Sequence, residues 1–158
     1  MKKIRLELLE NNAGQIAGVN QNPRDLAAGG FELAVESIKN FPAMLELRSL
    51  VVVPHLEKFV VIGGNQRLRA LRKLKYKEAA CVIADNLSID QINEFIVKDN
   101  LEYGQWNYEL LANHWDLEIL TEWGMNLNFN VDNDNDTEQN ILKDLSETIK
   151  YAFKLEID

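Results

Sequence analysis

The stretch VVIGGNQRLRA, residues 60–70, decides the fold of this 158-residue chain. Three β-branched residues precede two glycines, and a helical pattern starts directly after the glycines. The first N–H groups of such a helix lack intrahelical acceptors and suit an anion. Gly63 and Gly64 let the backbone approach a phosphate closely, and Arg67 adds a charge-assisted contact. The residues alone leave two interpretations open, an anion site or a plain strand–helix corner with solvated arginines.

The segments before this stretch predict strands and one helix. Apolar and charged residues alternate from Ile4 to Leu8, the pattern of a half-buried strand. Residues 11–30 are rich in Asn and Gly, and loops of that length tend to be functional or disordered. A helix is predicted over 31–41, and the β-rich runs 47–53 and 58–62 predict a hairpin or near-hairpin. The predicted inner face of the helix consists of Leu33, Ala34, Ser37, Ile38 and Phe41.

Two further helices are indicated by their first residues. Asn65 is expected to be the N-cap of a helix through Lys75, which buries leucines at every third position. Ser88 and Gln91 form a capping box, which predicts a helix through about Lys98.

Aromatic residues surround two short helices predicted at 108–114 and 117–123. We expect these aromatic side chains to be core anchors, with a partner surface as the alternative. They are Trp106, Tyr108, Trp115 and Trp123.

The end of the chain is polar and then apolar again. Residues 126–140 have the composition of a linker, and alternation over 150–157 predicts a strand. Because that strand has no obvious partner, we expect the sequence to be truncated. The predicted organisation is a domain over 1–104, a helical extension over 105–125 packed on it, and an acidic linker with a strand over 126–158.

Charge is distributed unevenly along the chain. The net charge is −8, yet residues 1–98 carry 14 Lys and Arg against 11 Asp and Glu, and residues 99–158 carry 3 against 14. An acidic chain binds duplex DNA weakly, because neutralising phosphates requires clustered cations. The one dense basic cluster consists of Arg67, Arg69, Arg72, Lys73, Lys75 and Lys77.

The single cysteine, Cys81, excludes an internal disulfide and a multi-cysteine zinc site. It lies in the apolar run 79–84, a predicted strand, so we expect it to be buried. No apolar run approaches the ~20 residues of a membrane span, and no secretory signal is visible. The expected location is the cytoplasm.

The motifs, taken in order, resemble the ParB N-terminal domain, which shares its fold with sulfiredoxin. Residues 64–70 resemble its GxxRxRA signature, and residues 22–24, Asn-Pro-Arg, resemble its upstream arginine motif. Residues 47–53 and 71–82 resemble the strand after the first helix and the helix–strand unit after the signature. The resemblance covers about residues 3–104. It implies an α+β fold, a small mixed sheet with flanking helices.

The resemblance also implies a ligand. Domains of this family bind a nucleoside triphosphate with Mg²⁺, CTP in the partition proteins and ATP in sulfiredoxin. Asp99 and Asn100 resemble a Glu-Asn pair that closes the nucleotide pocket, and they would be the magnesium ligands. Arg69 lies about 200° from Arg67 on a helix and can serve another partner. The implied nucleotide-binding residues are Arg24, Gly63, Gly64, Asn65, Gln66, Arg67 and Arg69.

Asn65 and Gln66 depart from the family pattern. Sulfiredoxin places a nucleophilic cysteine and a histidine there, so sulfinic-acid reduction is not expected. The partition proteins usually carry a glutamate at the position of Asn65, and an amide cannot act as a general base. We therefore expect little or no hydrolysis, and we expect Asn65→Glu to raise it. No helix-turn-helix domain is visible.

The segments 95–100, 104–113, 115–116 and 122–124 are similar to ParB-like modules of phages and mobile elements, often associated with a DNA methyltransferase. No DPPY-type methylase motif occurs in the chain. The sequence therefore predicts a nucleotide-binding module accessory to DNA-associated processes, with a methyltransferase partner and a homodimer as possible assemblies. The alternatives are a nucleotide-dependent phosphotransferase, hydrolase or nuclease on the same fold, and an interaction module without nucleotide.

Overall fold

The computed structural model describes residues 1–26, 28–101 and 104–127. The chain divides into two compact units, residues 1–103 and 104–158. The predicted linker over 126–140 falls almost wholly outside the described residues, and the predicted strand over 150–157 lies entirely outside them. The predicted three-part organisation stays a prediction. None of the described helices is both long and apolar enough to cross a membrane.

A five-stranded mixed sheet forms the centre of the first unit, in the order β1-β5-β3-β4-β2. The outer pairs are β1 with β5, antiparallel, and β2 with β4, parallel. In the middle, β3 pairs antiparallel with β4 and parallel with β5. The predicted α+β fold with a small mixed sheet is confirmed. The strands are β1 Lys2–Arg5, β2 Leu9–Asn11, β3 Leu50–His55, β4 Lys58–Gly63 and β5 Glu78–Ile83.

The single strand predicted from Ile4 to Leu8 is wrong. A 3₁₀ turn, Leu6–Leu8, interrupts the extended chain and separates β1 from β2. These two strands form opposite edges of the sheet, although a link of three residues spans only about 10–14 Å. The sheet must therefore curl until its edges approach each other. The turn also changes the alternation of buried residues, from Ile4 and Leu6 before it to Leu9 after it.

Helices cover both faces of the sheet. On one face, α1 and α3 bury Ile38, Leu68 and Leu71 against Val52 and Val61 of the central strands. On the other face, α4 buries Ile92 and Ile96 against Val53 and Ile62, with Val19 of the long loop among them. The alternation of Val61 and Ile62 between the two clusters reflects the two-residue period of a strand. The helices of this unit are α1 Gly30–Asn40, α2 Met44–Leu47, α3 Asn65–Lys73 and α4 Ile89–Lys98.

The hairpin between β3 and β4 is confirmed, with a two-residue turn at Leu56 and Glu57. Leu56 has a φ of 53°, which is uncommon for a residue with a side chain. The strand begins later than predicted, because Leu47 ends the short helix α2 and is exposed. His55 is the last residue of β3 and pairs with Lys58.

The inner face predicted for α1 is partly wrong. Ile38 is buried, and Phe31 and Val35 pack beside it against the core. Leu33 and Phe41 are more than half exposed instead. The apolar pattern placed the helix correctly but misassigned which of its residues face the core.

The second unit contains two capped helices, α5 Tyr108–His114 and α6 Leu117–Glu122. The Asn107 side chain accepts a hydrogen bond from Leu110 N, and the Asp116 side chain caps α6 in the same way. The prediction that aromatic residues are the core anchors is wrong, because the three tryptophans are more than half exposed and, among the described residues of this unit, the buried side chains are Leu111 and Leu120.

Candidate functional site

The glycine turn between β4 and α3 is sterically closed to larger residues. Gly64 has a φ of +92°, in the left-handed region, and a Cβ there would lie 2.6 Å from Leu50 Cδ2. A Cβ on Gly63 would lie 3.2 Å from Asp99 Oδ2 and 3.2 Å from Phe95 Cε1. Gly63 therefore lets the end of α4 approach the turn, and Gly64 lets Leu50 of β3 approach it.

Helix α3 begins with Gly64 as its N-cap, so the prediction that Asn65 caps the helix is wrong. The first hydrogen bond runs from Leu68 N to Gly64 O, at 3.0 Å. The amides of Gly64, Asn65, Gln66 and Arg67 thus precede the intrahelical ladder, at the positive end of the helix dipole. This is the arrangement that favours an anion.

The Asn65 side chain is buried, and each of its polar atoms is hydrogen-bonded to residues outside α3. Its Oδ1 accepts from Asn12 N at 2.9 Å and from Asn11 Nδ2 at 3.0 Å. Its Nδ2 donates to Val61 O at 2.8 Å. The side chain therefore joins α3 to the end of β2 and to β4. The sequence showed an N-cap residue at this position, but not this long-range pairing.

Arg67 lies half-buried at the start of α3. Its Nη1 donates to Arg48 O, and it lies 3.4 Å from Ser49 O. Burial lowers the pKa of Arg67, the positive charge of Arg48 lowers it further, and Asp99 acts in the opposite direction. A second positive charge close to a desolvated guanidinium favours binding of an anion between them.

The loop over 12–25 is held in place by asparagine side chains. Asn12 Nδ2 donates to Asn20 O at 2.8 Å, and Asn93 of α4 bonds both Asn20 N and Gly18 O. Buried Val19 anchors the same loop in the core. Near the end of the loop, Arg24 Nη1 lies 3.4 Å from Asn100 Oδ1.

The residues at the end of α4 present two oxygen-bearing side chains. Asp99 is the C-cap of the helix, and Asn100 Nδ2 donates to Ile96 O at 2.6 Å. The capping box predicted at the start of this helix, Ser88 with Gln91, is confirmed.

A cavity of about 330 Å³ lies where these elements meet. Its lining contains three arginines and one carboxylate, so its charge is positive. Seven of the residues predicted from the sequence line it, and Gly63 and Arg69 do not. The seven are Arg24, Gly64, Asn65, Gln66, Arg67, Asp99 and Asn100.

Arg69 lies in a more open groove beside this cavity, together with Arg72. Its Nη1 donates to Gln66 Oε1 at 2.9 Å, and its guanidinium lies 5.2 Å from the Phe31 ring centroid. Arg72 donates to Asn11 Oδ1 and Leu9 O, both at 2.7 Å, and so joins α3 to β2. Within the basic cluster, Arg67 therefore lines the cavity and Arg69 and Arg72 line the groove.

Sequence reasoning missed the part of the cavity lining that α1 and α2 contribute. Arg48 follows α2 and contributes the third arginine, and Ser37 of α1 contributes a hydroxyl. The unexplained polar residue Ser37 on an apolar helix face was the signal for this wall. The remaining apolar lining consists of Leu26, Ala34, Ile38, Met44, Leu45 and Ile62.

Cys81 plays no part in this site. It is fully buried in β5, and burial raises its pKa to about 11. The thiolate required for cysteine chemistry is therefore disfavoured.

The fold of this chain resembles that of solved ParB structures. No protein-family model and no curated protein matches the chain. The chain resembles the C-terminally truncated chromosome-partitioning protein ParB from Caulobacter crescentus complexed with CTP-γ-S, at 18% identity and a TM-score of 0.54. The match covers 70% of this chain and 62% of that one. This likeness shows a ParB-like fold.

Two other solved structures are less similar. ParB from Caulobacter crescentus complexed to the centromeric parS site matches at 16% identity, over 71% of this chain and 57% of that chain, with a TM-score of 0.49. A free serine kinase in complex with AMP matches at 20% identity, over 55% and 32%, with a TM-score of 0.40. The chain thus spans less than two thirds of the length of either ParB chain.

Proposed function

We propose that this chain is a nucleotide-binding module. One observation carries the proposal, namely that Arg24, Arg48 and Arg67 line the same cavity as the first amides of α3. Oriented N–H groups with guanidinium groups form a site for phosphates. A cavity of about 330 Å³ is within the usual size of small-molecule sites, about 300–1,000 Å³. The ParB-like fold is consistent with it, since that ParB structure is complexed with CTP-γ-S.

The two ends of the cavity suggest how a nucleotide lies. The phosphates belong beside Gly64, Arg67 and Arg24, where charge and amides converge. The apolar wall formed by α1 and α2 suits a nucleobase, whose faces are apolar. Ser37 is the hydroxyl in that wall that can contact a polar base edge. One hydroxyl does not select between CTP and ATP, so both are candidate ligands.

The end of α4 suits Mg²⁺ bound with the phosphates. Asp99 contributes a carboxylate and Asn100 an amide oxygen, and both line the cavity. Protein sites for Mg²⁺ commonly supply one or two such ligands, and substrate phosphates supply more. Among the described residues no cluster of three or more His, Cys, Asp and Glu side chains could hold a metal, so binding should depend on the nucleotide.

Hydrolysis is expected to be slow. Asn65 carries no basic group, and its polar atoms are bound to Asn11, Asn12 and Val61. Positioning and electrostatic stabilisation alone allow some phosphoryl transfer. We expect turnover far below the ~10 s⁻¹ that is typical of enzymes.

The wider role proposed is accessory to DNA-associated processes of a phage or mobile element, in the cytoplasm. Its support is the sequence resemblance, which also suggests a DNA methyltransferase partner and a homodimer. The gene neighbourhood and the full reading frame are the observations that test this role.

Calorimetry with CTP and ATP, each with and without Mg²⁺, tests the nucleotide site. Arg67→Ala removes a charge-assisted contact worth roughly 1.5–3 kcal/mol, a loss of about 10- to 100-fold in affinity. Arg5→Ala is the matched control, because Arg5 is exposed and pairs with Glu7 at 2.9 Å on the surface. A wild type that binds no nucleotide, or an unchanged affinity in Arg67→Ala, would refute the proposal. Phosphate release on the same samples measures turnover, and brisk hydrolysis would favour an enzyme.

A further inference from the structure

Two buried asparagines connect the phosphate end of the cavity to the arginine loop. Asn12 and Asn65 are the buried polar residues in the described part of the chain, 6% and 7% exposed. Asn12 N donates to Asn65 Oδ1 at 2.9 Å. A polar group in a core is costly unless it is fully bonded, and a bonded one fixes the geometry around it.

The Asn12 side chain holds the loop that it begins. Its Oδ1 accepts from Gly14 N at 3.1 Å, and its Nδ2 donates to Asn20 O at 2.8 Å. Its backbone oxygen accepts from Asn22 N at 3.3 Å. One residue therefore bonds to three points of the loop, both near its start and near its end.

The same bonds continue to the cavity. Asn22 Nδ2 donates to Arg24 O at 3.2 Å, and Asn22 and Arg24 both line the cavity. Arg24 Nη1 then lies 3.4 Å from Asn100 Oδ1, just after α4. A continuous path of hydrogen bonds runs from Asn65 at the start of α3 to Arg24.

We propose that Asn12 is a positioning residue for Arg24, which holds this arginine against the phosphate end of the cavity. This inference rests on the proposed nucleotide function. Asn12 lines the neighbouring groove and not the cavity itself, and its side chain bonds Gly14 and Asn20 of the loop, so the side chain acts on affinity through the loop.

A double-mutant cycle separates positioning from general destabilisation. Nucleotide affinity with Mg²⁺ is measured by calorimetry for the wild type, Asn12→Ala, Arg24→Ala and the double variant, and the melting temperature of each is recorded. We expect Asn12→Ala to weaken binding about 3- to 10-fold. The double variant should bind no more weakly than Arg24→Ala, because the affected arginine is already absent. A purely structural role would lower the melting temperature in both backgrounds and would not produce this affinity pattern.

Gln15→Ala is the control within the same loop. Gln15 is exposed and bonds only locally, to Ala13 N at 2.8 Å and Asn11 O at 2.9 Å among others, so affinity should not change. If Asn12→Ala does not fold, Asn93→Ala enters the same cycle, because Asn93 holds the loop from α4.

Three outcomes distinguish the two proposals. Equal weakening by Asn12→Ala in the wild-type and Arg24→Ala backgrounds would overturn the positioning role, and so would an unchanged affinity in folded Asn12→Ala. In both cases the nucleotide function stands. A wild type that binds neither nucleotide overturns the function and the inference together.

Discussion

Replacing Gly64 with alanine tests the central turn of this fold. The new methyl group would meet two obstacles, a backbone φ of +92° and a Leu50 Cδ2 atom at 2.6 Å. Leu50 is 1% exposed, so its side chain has little space into which it can move. Arg67 Nη1, at 3.3 Å, would also be displaced from its place beside the cavity.

The expected cost follows from these two contacts. A left-handed backbone costs a residue with a Cβ about 1–2 kcal/mol. Overpacking a closed core site adds about 1–3 kcal/mol. Gly64→Ala should therefore lower the free energy of unfolding by about 2–5 kcal/mol, a large part of the ~5–15 kcal/mol that stabilises a typical protein.

Gly29→Ala is the matched control for the backbone component. Gly29 has a φ of +77°, and a Cβ there would contact nothing within 4 Å. It should cost only the left-handed penalty, about 1–2 kcal/mol. Gly63→Ala tests sterics separately, because its φ is ordinary but a Cβ would lie 3.2 Å from Asp99 and Phe95.

Urea unfolding followed by far-UV circular dichroism is the suitable assay. The three tryptophans, at positions 106, 115 and 123, all belong to the second unit, so their fluorescence would report on the wrong part of the chain. If Gly64→Ala destabilises the chain no more than Gly29→Ala, the close approach of Leu50 is not what requires glycine at this turn, and the steric argument fails.

Three further predictions follow from the same structure. The Cys81 thiol should react with a thiol reagent only after the chain unfolds. Burial raises the pKa of this thiol from 9.0 to about 11, so the unfolded chain loses the thiol proton first and the free energy of unfolding should fall as the pH rises from 9 towards 11. Cys81→Ala should remove this pH dependence. Asn65→Glu should lower the free energy of unfolding by about 2 kcal/mol or more, because it buries a carboxylate and leaves Val61 O without its hydrogen-bond donor. Asn65→Asp is the control for side-chain size. An Asn65→Glu variant that is as stable as the wild type and hydrolyses nucleotide faster would instead support the expectation from the family pattern. The isolated chain should bind duplex DNA weakly at physiological salt, with a Kd of about 10⁻⁴ M or worse in gel shifts, and tight sequence-selective binding would show that the basic helix α3 was misjudged.

Local signals predicted a large part of the fold correctly. The glycine turn, the capping box at Ser88 and the hairpin from β3 to β4 each depend on a few adjacent residues, so the sequence contains the whole cause. The prediction of a single N-terminal strand was wrong because its cause is not local. Alternation cannot show that residues 2–11 supply both edges of one sheet, since the pairing partners are β5 and β4.

The amphipathic pattern of α1 shows a second limit. Ile38 is buried and Ala34 is partly buried as the pattern indicated, but both line a cavity together with the exposed Ser37. Hydropathy distinguishes water from protein, and it does not distinguish a packed core from the wall of a ligand site. A single polar residue on the face was the only sequence sign of that difference.

The sequence by itself determined the strand, the two glycines and the helix that follows, because the conformational freedom of glycine and the unpaired amides of a helix start are local properties. The tertiary structure alone decided that Arg24, Arg48 and Arg67 converge on one cavity. It also decided that the Asn65 side chain turns to β2 instead of capping its helix. These arrangements depend on the order of strands in the sheet, which brings together residues far apart in the chain.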